Sequence, residues 1–219
     1  MKNMTEIIED KHFSETPTEI SSLKKPWEKL AHGISAVSNP MFVAFPTFLI
    51  IAVATAPDLP RALLWWAVTV IGISVAPLLF IRRGVRLGHY SDHHVSIREQ
   101  RFIPLLFGVG CVGIVFVLLL LLQTSRPLIA TVTAVIVVLV LSTIITRYWK
   151  ISLHLVGVAG AVTVCVLMFG PLCLLLSPLV VLVGWARWQV RAHTLLQALA
   201  GTVLAVSVTL AIFWLLGVH

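Results

Sequence analysis

Hydrophobic and polar positions do not alternate along this chain; they come in long blocks. After a polar, mixed-charge stretch over residues 1–28, seven apolar segments follow one another. They lie roughly at 41–56, 61–81, 104–123, 127–146, 151–169, 171–186 and 192–217. Pro46 sits inside the first, whose helix can start as early as about residue 30. A bilayer-spanning helix needs about 20 apolar residues, with a range of about 17–25. The region 151–186 carries no formal charge and is too long for one crossing. Gly170-Pro171 breaks it, and Gly followed by Pro stops one helix and restarts another. The pattern predicts an all-α polytopic membrane bundle of about six or seven transmembrane helices, residues 29–219, preceded by a polar cytosolic segment, 1–28.

Composition supports this picture. Of 219 residues, 58% are hydrophobic and only 11% are charged, against about 25% charged in a soluble domain. Six of the nine acidic residues fall in the first 28; the rest are Asp58, Asp92 and Glu99. That scarcity argues against carboxylate metal sites and two-carboxylate acid–base chemistry. Cys111, Cys165 and Cys173 stand isolated in apolar runs, which argues against disulfides and a zinc cluster. The net charge of +7 is read as topology, not as nucleic-acid binding. Seven crossings place fourteen of the sixteen Lys and Arg residues on one side, with only Arg61 and Arg126 opposite. The positive-inside rule makes the basic side cytoplasmic.

The polar residues near the membrane gather in three clusters on that side: Asp92 to Pro104, Lys150 to His154, and Ala186 to Gln197. Ionisable groups at this depth are candidates for function. Histidines, arginines and a lysine converging without carboxylates suit an anion, and guanidinium forks match phosphate oxygens. His193 and Gln197, at i and i+4, are expected to share a helix face. The Gln carbonyl would then fix the ring tautomer and aim the other nitrogen outward as a nucleophile. His154 lies just inside a helix start, with Lys150 one turn earlier on the same face. Backbone N–H groups there favour phosphate, and a protonated His154 would serve as general acid. Arg187, Arg98 and Arg101 would hold the remaining oxygens. Arg98 and Arg101 read equally well as topological anchors, as does Lys150. Asp92, His93 and His94 are adjacent in sequence, do not share a helix face, and make a poor metal site.

The third cluster resembles the last motif of the type-2 phosphatidic acid phosphatase and vanadium haloperoxidase superfamily, Ser-Arg, five residues, His, three residues, Asp. Arg187 and His193 stand at that spacing, with Ala186 for the Ser and Gln197 for the Asp. The second cluster is similar to the family's Pro-Ser-Gly-His: Ser152 and His154 match, Ile151 and Leu153 do not. The first matches Lys, six residues, Arg-Pro only in Arg101; His94 takes the Lys position and Phe102 the Pro, with Arg98 as the alternative for the Lys. The resemblance covers about residues 92–201. It implies a metal-independent and cofactor-free membrane lipid phosphatase. His193 would form a phosphohistidine, His154 would protonate the leaving group, and Arg187, Arg101, Ser152, Lys150, His94 and Arg98 would bind phosphate. The partners are then a lipid phosphate and membrane lipids, with a homo-oligomer compatible. The number of basic residues, enough for two phosphates, favours a polyprenyl diphosphate over a phosphatidic acid. Gln197 keeps a second expectation open: a silent member that binds anionic lipid as carrier, scaffold or regulator. A channel or transporter is poorer, since paired intramembrane charges and repeats are missing.

Overall fold

The computed structural model describes residues 26–91 and 100–218, and all of its regular structure is helical. The helices are α1 (Pro26–Val37), α2 (Pro40–Thr55), α3 (Leu59–Val70), α4 (Ala76–Arg86), α5 (Phe102–Leu121), α6 (Arg126–Tyr148), α7 (Leu153–Phe169), α8 (Ser177–Gln189) and α9 (Leu195–Leu215). A π-helical turn, Ile71–Val75, joins α3 to α4, and a 3-10 turn, Pro171–Leu176, precedes α8.

Among the described residues, five helical stretches are long and apolar enough to cross a membrane: Leu59–Arg86, Phe102–Leu121, Arg126–Tyr148, Pro171–Gln189 and Leu195–Leu215. The pair α1 and α2 qualifies together, bent by 53°. The remaining apolar segment is α7, shorter at 17 residues. In hydrocarbon the backbone has no water to bond, so a chain this apolar satisfies its N–H and C=O groups within helices. The outer faces are themselves apolar: Leu172 is 76% exposed and Val181 74%. Such patches suit lipid and are unfavourable against water.

Local residues set the boundaries. Asn39 Oδ1 accepts from the Met41 N–H at 3.0 Å, with Pro40 opening α2. This cap falls at the bend, so the first expected segment, 41–56, is the single helix α2, and the earlier start near residue 30 belongs to a separate helix, α1. Asp58 caps α3 through the Arg61 N–H at 2.8 Å. The second expected segment runs on to Arg86, so Arg82, Arg83 and Arg86 belong to a helix and not to a loop. Its π turn fits Pro77, whose missing N–H disturbs the regular ladder one turn earlier. Gly72 lies within that turn, where a Cβ would collide with the Val115 side chain. Gly170 ends α7 at φ 91°, a conformation that favours glycine.

Phe48, Ile51, Val112, Leu119, Leu128 and Phe213 pack the main core, and Leu155, Val158, Val183 and Ala198 form a second one. Between them α7 runs away from the basic end, and the 3-10 turn and α8 bring the chain back. Both ends of this excursion meet α1, since His154 and Arg187 each bond Ser35. The chain between residues 151 and 186 therefore goes out and returns.

Helix α9 closes tightly on the start of α7. A Cβ on Gly201 would lie 2.7 Å from the Ser152 carbonyl oxygen. That oxygen is backbone and has little room to yield. Gly201→Ala is expected to cost about 1–3 kcal/mol by overpacking, read as a lowered Tm in detergent. An unchanged Tm would show that the two helices are free to separate there.

Candidate active site

The three polar clusters are distant in sequence, and the fold brings the described parts of them to one end of the bundle. Arg101 precedes α5, Ser152 and His154 begin α7, Arg187 lies in the last turn of α8, and His193 precedes α9. All five are buried. Arg82, Arg83, Arg86, Arg147 and Arg191, which flank these elements, are exposed. His94 and Arg98 lie outside the described residues.

Two geometric expectations are corrected. His193 and Gln197 do not share a helix face, because α9 starts only at Leu195. Thr194 is the N-cap, and its hydroxyl accepts from the Gln197 N–H at 3.3 Å. Gln197 reaches back, and its Oε1 accepts from the Thr194 N–H at 3.2 Å. The capping box thus carries the contact that the i, i+4 spacing suggested. Lys150 is likewise not on a helix with His154. Trp149 is extended, Ser152 is the N-cap of α7, and Lys150 stands in the connection before it.

The capping box decides the chemistry of His193. A backbone N–H can only donate, so the Gln197 atom facing it must be the carbonyl oxygen. The same Oε1 lies 3.1 Å from His193 Nδ1. Nδ1 therefore carries the proton, and Nε2 keeps its lone pair. Burial pushes the His193 pKa down from 6.5 to about 3, with Arg187, Arg101 and Lys150 adding to the effect; the Gln197 hydrogen bond opposes it. Three cations thus act on a ring held neutral in the form that a nucleophile needs. 15N-histidine spectra of the free protein should show a neutral Nδ1–H ring from about pH 8 to about pH 4. Protonation of this ring near 6.5 would contradict the geometry. In the folded chain the ring stays unprotonated between 6.5 and about 3, where the unfolded chain binds a proton. Its contribution to stability is therefore full above 6.5 and is lost as the pH falls through that window.

Around His193 stand groups suited to an anion. The Arg187 Nη1 donates to Ser35 Oγ at 2.6 Å, while its buried Nε has no hydrogen-bond partner among the described residues. The Ser152 hydroxyl, fully buried, likewise has none. A buried donor left unmatched is costly; Arg187 lines a cavity where an anion's oxygen could meet its Nε, whereas Ser152 lies behind the lining. His154 Nε2 donates to the Ser35 carbonyl at 3.1 Å. Ser35 thus holds two predicted site residues at once. Sequence reasoning passed over it, although the polar break Ser35 to Asn39 in an apolar region marks it. No group of three or more His, Cys, Asp or Glu side chains poised for a metal occurs among the described residues.

A cavity of about 260 Å³ runs inward from this end. Arg101, His154, Arg187 and His193 line it, and so do apolar residues deeper in the bundle, such as Phe48, Val112 and Val164. Along α5 it reaches from Arg101 to Val112, about 16 Å at 1.5 Å per residue. The chain matches no protein-family model, no curated protein and no solved structure.

Proposed function

We propose that this protein is a membrane lipid phosphatase that hydrolyses a lipid phosphate or diphosphate, of the polyprenyl diphosphate or phosphatidic acid type, without a metal. The observation that carries the reading is the Nδ1–H tautomer of His193 beside Arg187, Arg101 and Lys150. Phosphate seats among the cations, with the Arg187 Nε as a further donor. His193 Nε2 attacks phosphorus as the bond to the lipid oxygen breaks. In its imidazolium form His154 keeps one proton on the Ser35 carbonyl and gives the other, from Nδ1, to the leaving oxygen. Water then attacks the phosphohistidine, returns a proton to His154 and releases phosphate. The apolar cavity beyond the cations suits a hydrocarbon chain.

The exposed basic residues around the site support a cytoplasmic orientation in the cell membrane, by the positive-inside rule. Gln197 favours the second reading, a silent lipid-phosphate binder, because a neutral amide does not stabilise the imidazolium as a carboxylate does. The deciding experiment is phosphate release by the purified chain in detergent micelles without added metal. The panel contains prenyl monophosphate, prenyl diphosphate, phosphatidic acid and lysophosphatidic acid. Release from any of them supports the hydrolase. Binding without release supports the silent form.

A further inference from the structure

Helical Ser and Thr hydroxyls usually turn back to the carbonyl four residues earlier. Around the cavity Thr47 and Thr131 do so, each at 2.8 Å. Ser142 and Thr146 on α6 behave differently. Both are buried, and neither hydroxyl has a hydrogen-bond partner among the described residues. Ser142 lines the same cavity as Arg187 and His193. It continues the cavity-facing stripe of Thr131, Val135 and Val138, and Thr146 extends that stripe by one turn.

The depth of this pair follows from helix register. A Cβ on Gly108 of α5 would lie 3.4 Å from the Leu139 side chain. The Arg147 guanidinium sits 5.9 Å over the Phe102 ring. The two helices are therefore antiparallel, with Thr146 near the level of Arg101 and Ser142 near that of Leu105. Ser142 lies one turn, about 6 Å, deeper than the cationic end. The cavity-lining residues around Ser142 on α5 and α6, Leu105, Gly108, Val138 and Leu139, are uncharged. A second phosphate against them would be an anion facing hydrocarbon.

We propose that Ser142, with Thr146 above it, is a subsite for an uncharged oxygen of the lipid about one helical turn beyond the phosphoryl group. A glycerol ester or glycerol hydroxyl supplies such an oxygen; the plain hydrocarbon of a prenyl phosphate does not. The inference rests on the lipid phosphatase reading and assigns glycerolipid phosphates as its substrate class. It reverses the preference for polyprenyl diphosphates drawn from the number of basic residues.

The test compares lysophosphatidic acid with an alkyl monophosphate of equal chain length, using the full chain in detergent micelles. The wild-type kcat/KM should favour lysophosphatidic acid by about tenfold, the worth of one good hydrogen bond. Ser142→Ala should narrow that ratio about tenfold, chiefly through the KM of lysophosphatidic acid, and Thr146→Val by less. Equal rates on the two substrates in the wild type, or an equal loss on both in Ser142→Ala, would overturn the subsite. If neither substrate is hydrolysed, the phosphatase reading fails and the subsite is judged by ligand-induced Tm shifts. A larger shift with lysophosphatidic acid that Ser142→Ala erases upholds it. Equal or absent shifts refute it.

Discussion

His193→Ala abolishes phosphate release from every substrate that the wild type hydrolyses, and with it the acid-labile phosphoenzyme that rapid quenching traps. Loss of a covalent nucleophile removes the whole reaction path, so the expected fall is at least about 10⁴-fold. The fold should survive, because Gln197 Oε1 still accepts from the Thr194 N–H when the imidazole is gone. The control is therefore a Tm close to that of the wild type. Release that persists in this variant would remove His193 from the chemistry. A wild type that binds lipid phosphate but releases nothing directs attention to Gln197, and Gln197→Asp then asks whether a carboxylate beside the ring restores turnover.

Arg187→Ala should lower kcat/KM by about 10²–10³-fold, with most of the loss in kcat, since the guanidinium meets charge that develops during phosphoryl transfer. Arg187→Lys should recover only a small part. An ammonium keeps the charge but lacks the planar fork that reaches Ser35 with Nη1 and presents Nε to a second oxygen. The substitution to Ala also has a signed effect on His193. Removing the second-largest cause of its lowered pKa moves that value up from about 3 toward 6.5. The ring then protonates at a higher pH, and the acid limb of the rate profile shifts upward. Histidine NMR checks the shift without any turnover. A kcat that is unchanged in Arg187→Ala would place Arg187 in structure alone.

The helices were legible because their signal is coarse. Apolar blocks of this length have few alternatives in a bilayer, and Gly170-Pro171 announces its break in sequence. Boundaries were less so. The bend between α1 and α2 depends on the Asn39 cap, and the continuation of α4 to Arg86 takes the helix through basic residues that look like loop. At the site, the spacing of Arg187, His193 and Gln197 marked groups that the fold does bring together, but through the wrong local geometry. A four-residue interval serves a helix face and a capping box alike, and Thr194 decides between them. Lys150 was misplaced because nothing in the residues reveals that Trp149 is extended. Ser35 escaped since its partners lie 119 and 152 positions away. Such separations follow from packing, not from pattern.

The double hold of Ser35 bears on how the protein is made. Ser35 emerges from the ribosome early, and the two side chains that bond it, His154 and Arg187, emerge late. His193 follows them, and the Thr194–Gln197 cap that orients it comes later still. A nascent or truncated chain ending before Gln197 thus lacks the cap that orients His193, however well its first helices have inserted. If the chain is the phosphatase proposed above, its activity begins only once residues 154–197 have joined the first helix, so a half-built copy has no working site with which to act on the membrane around it.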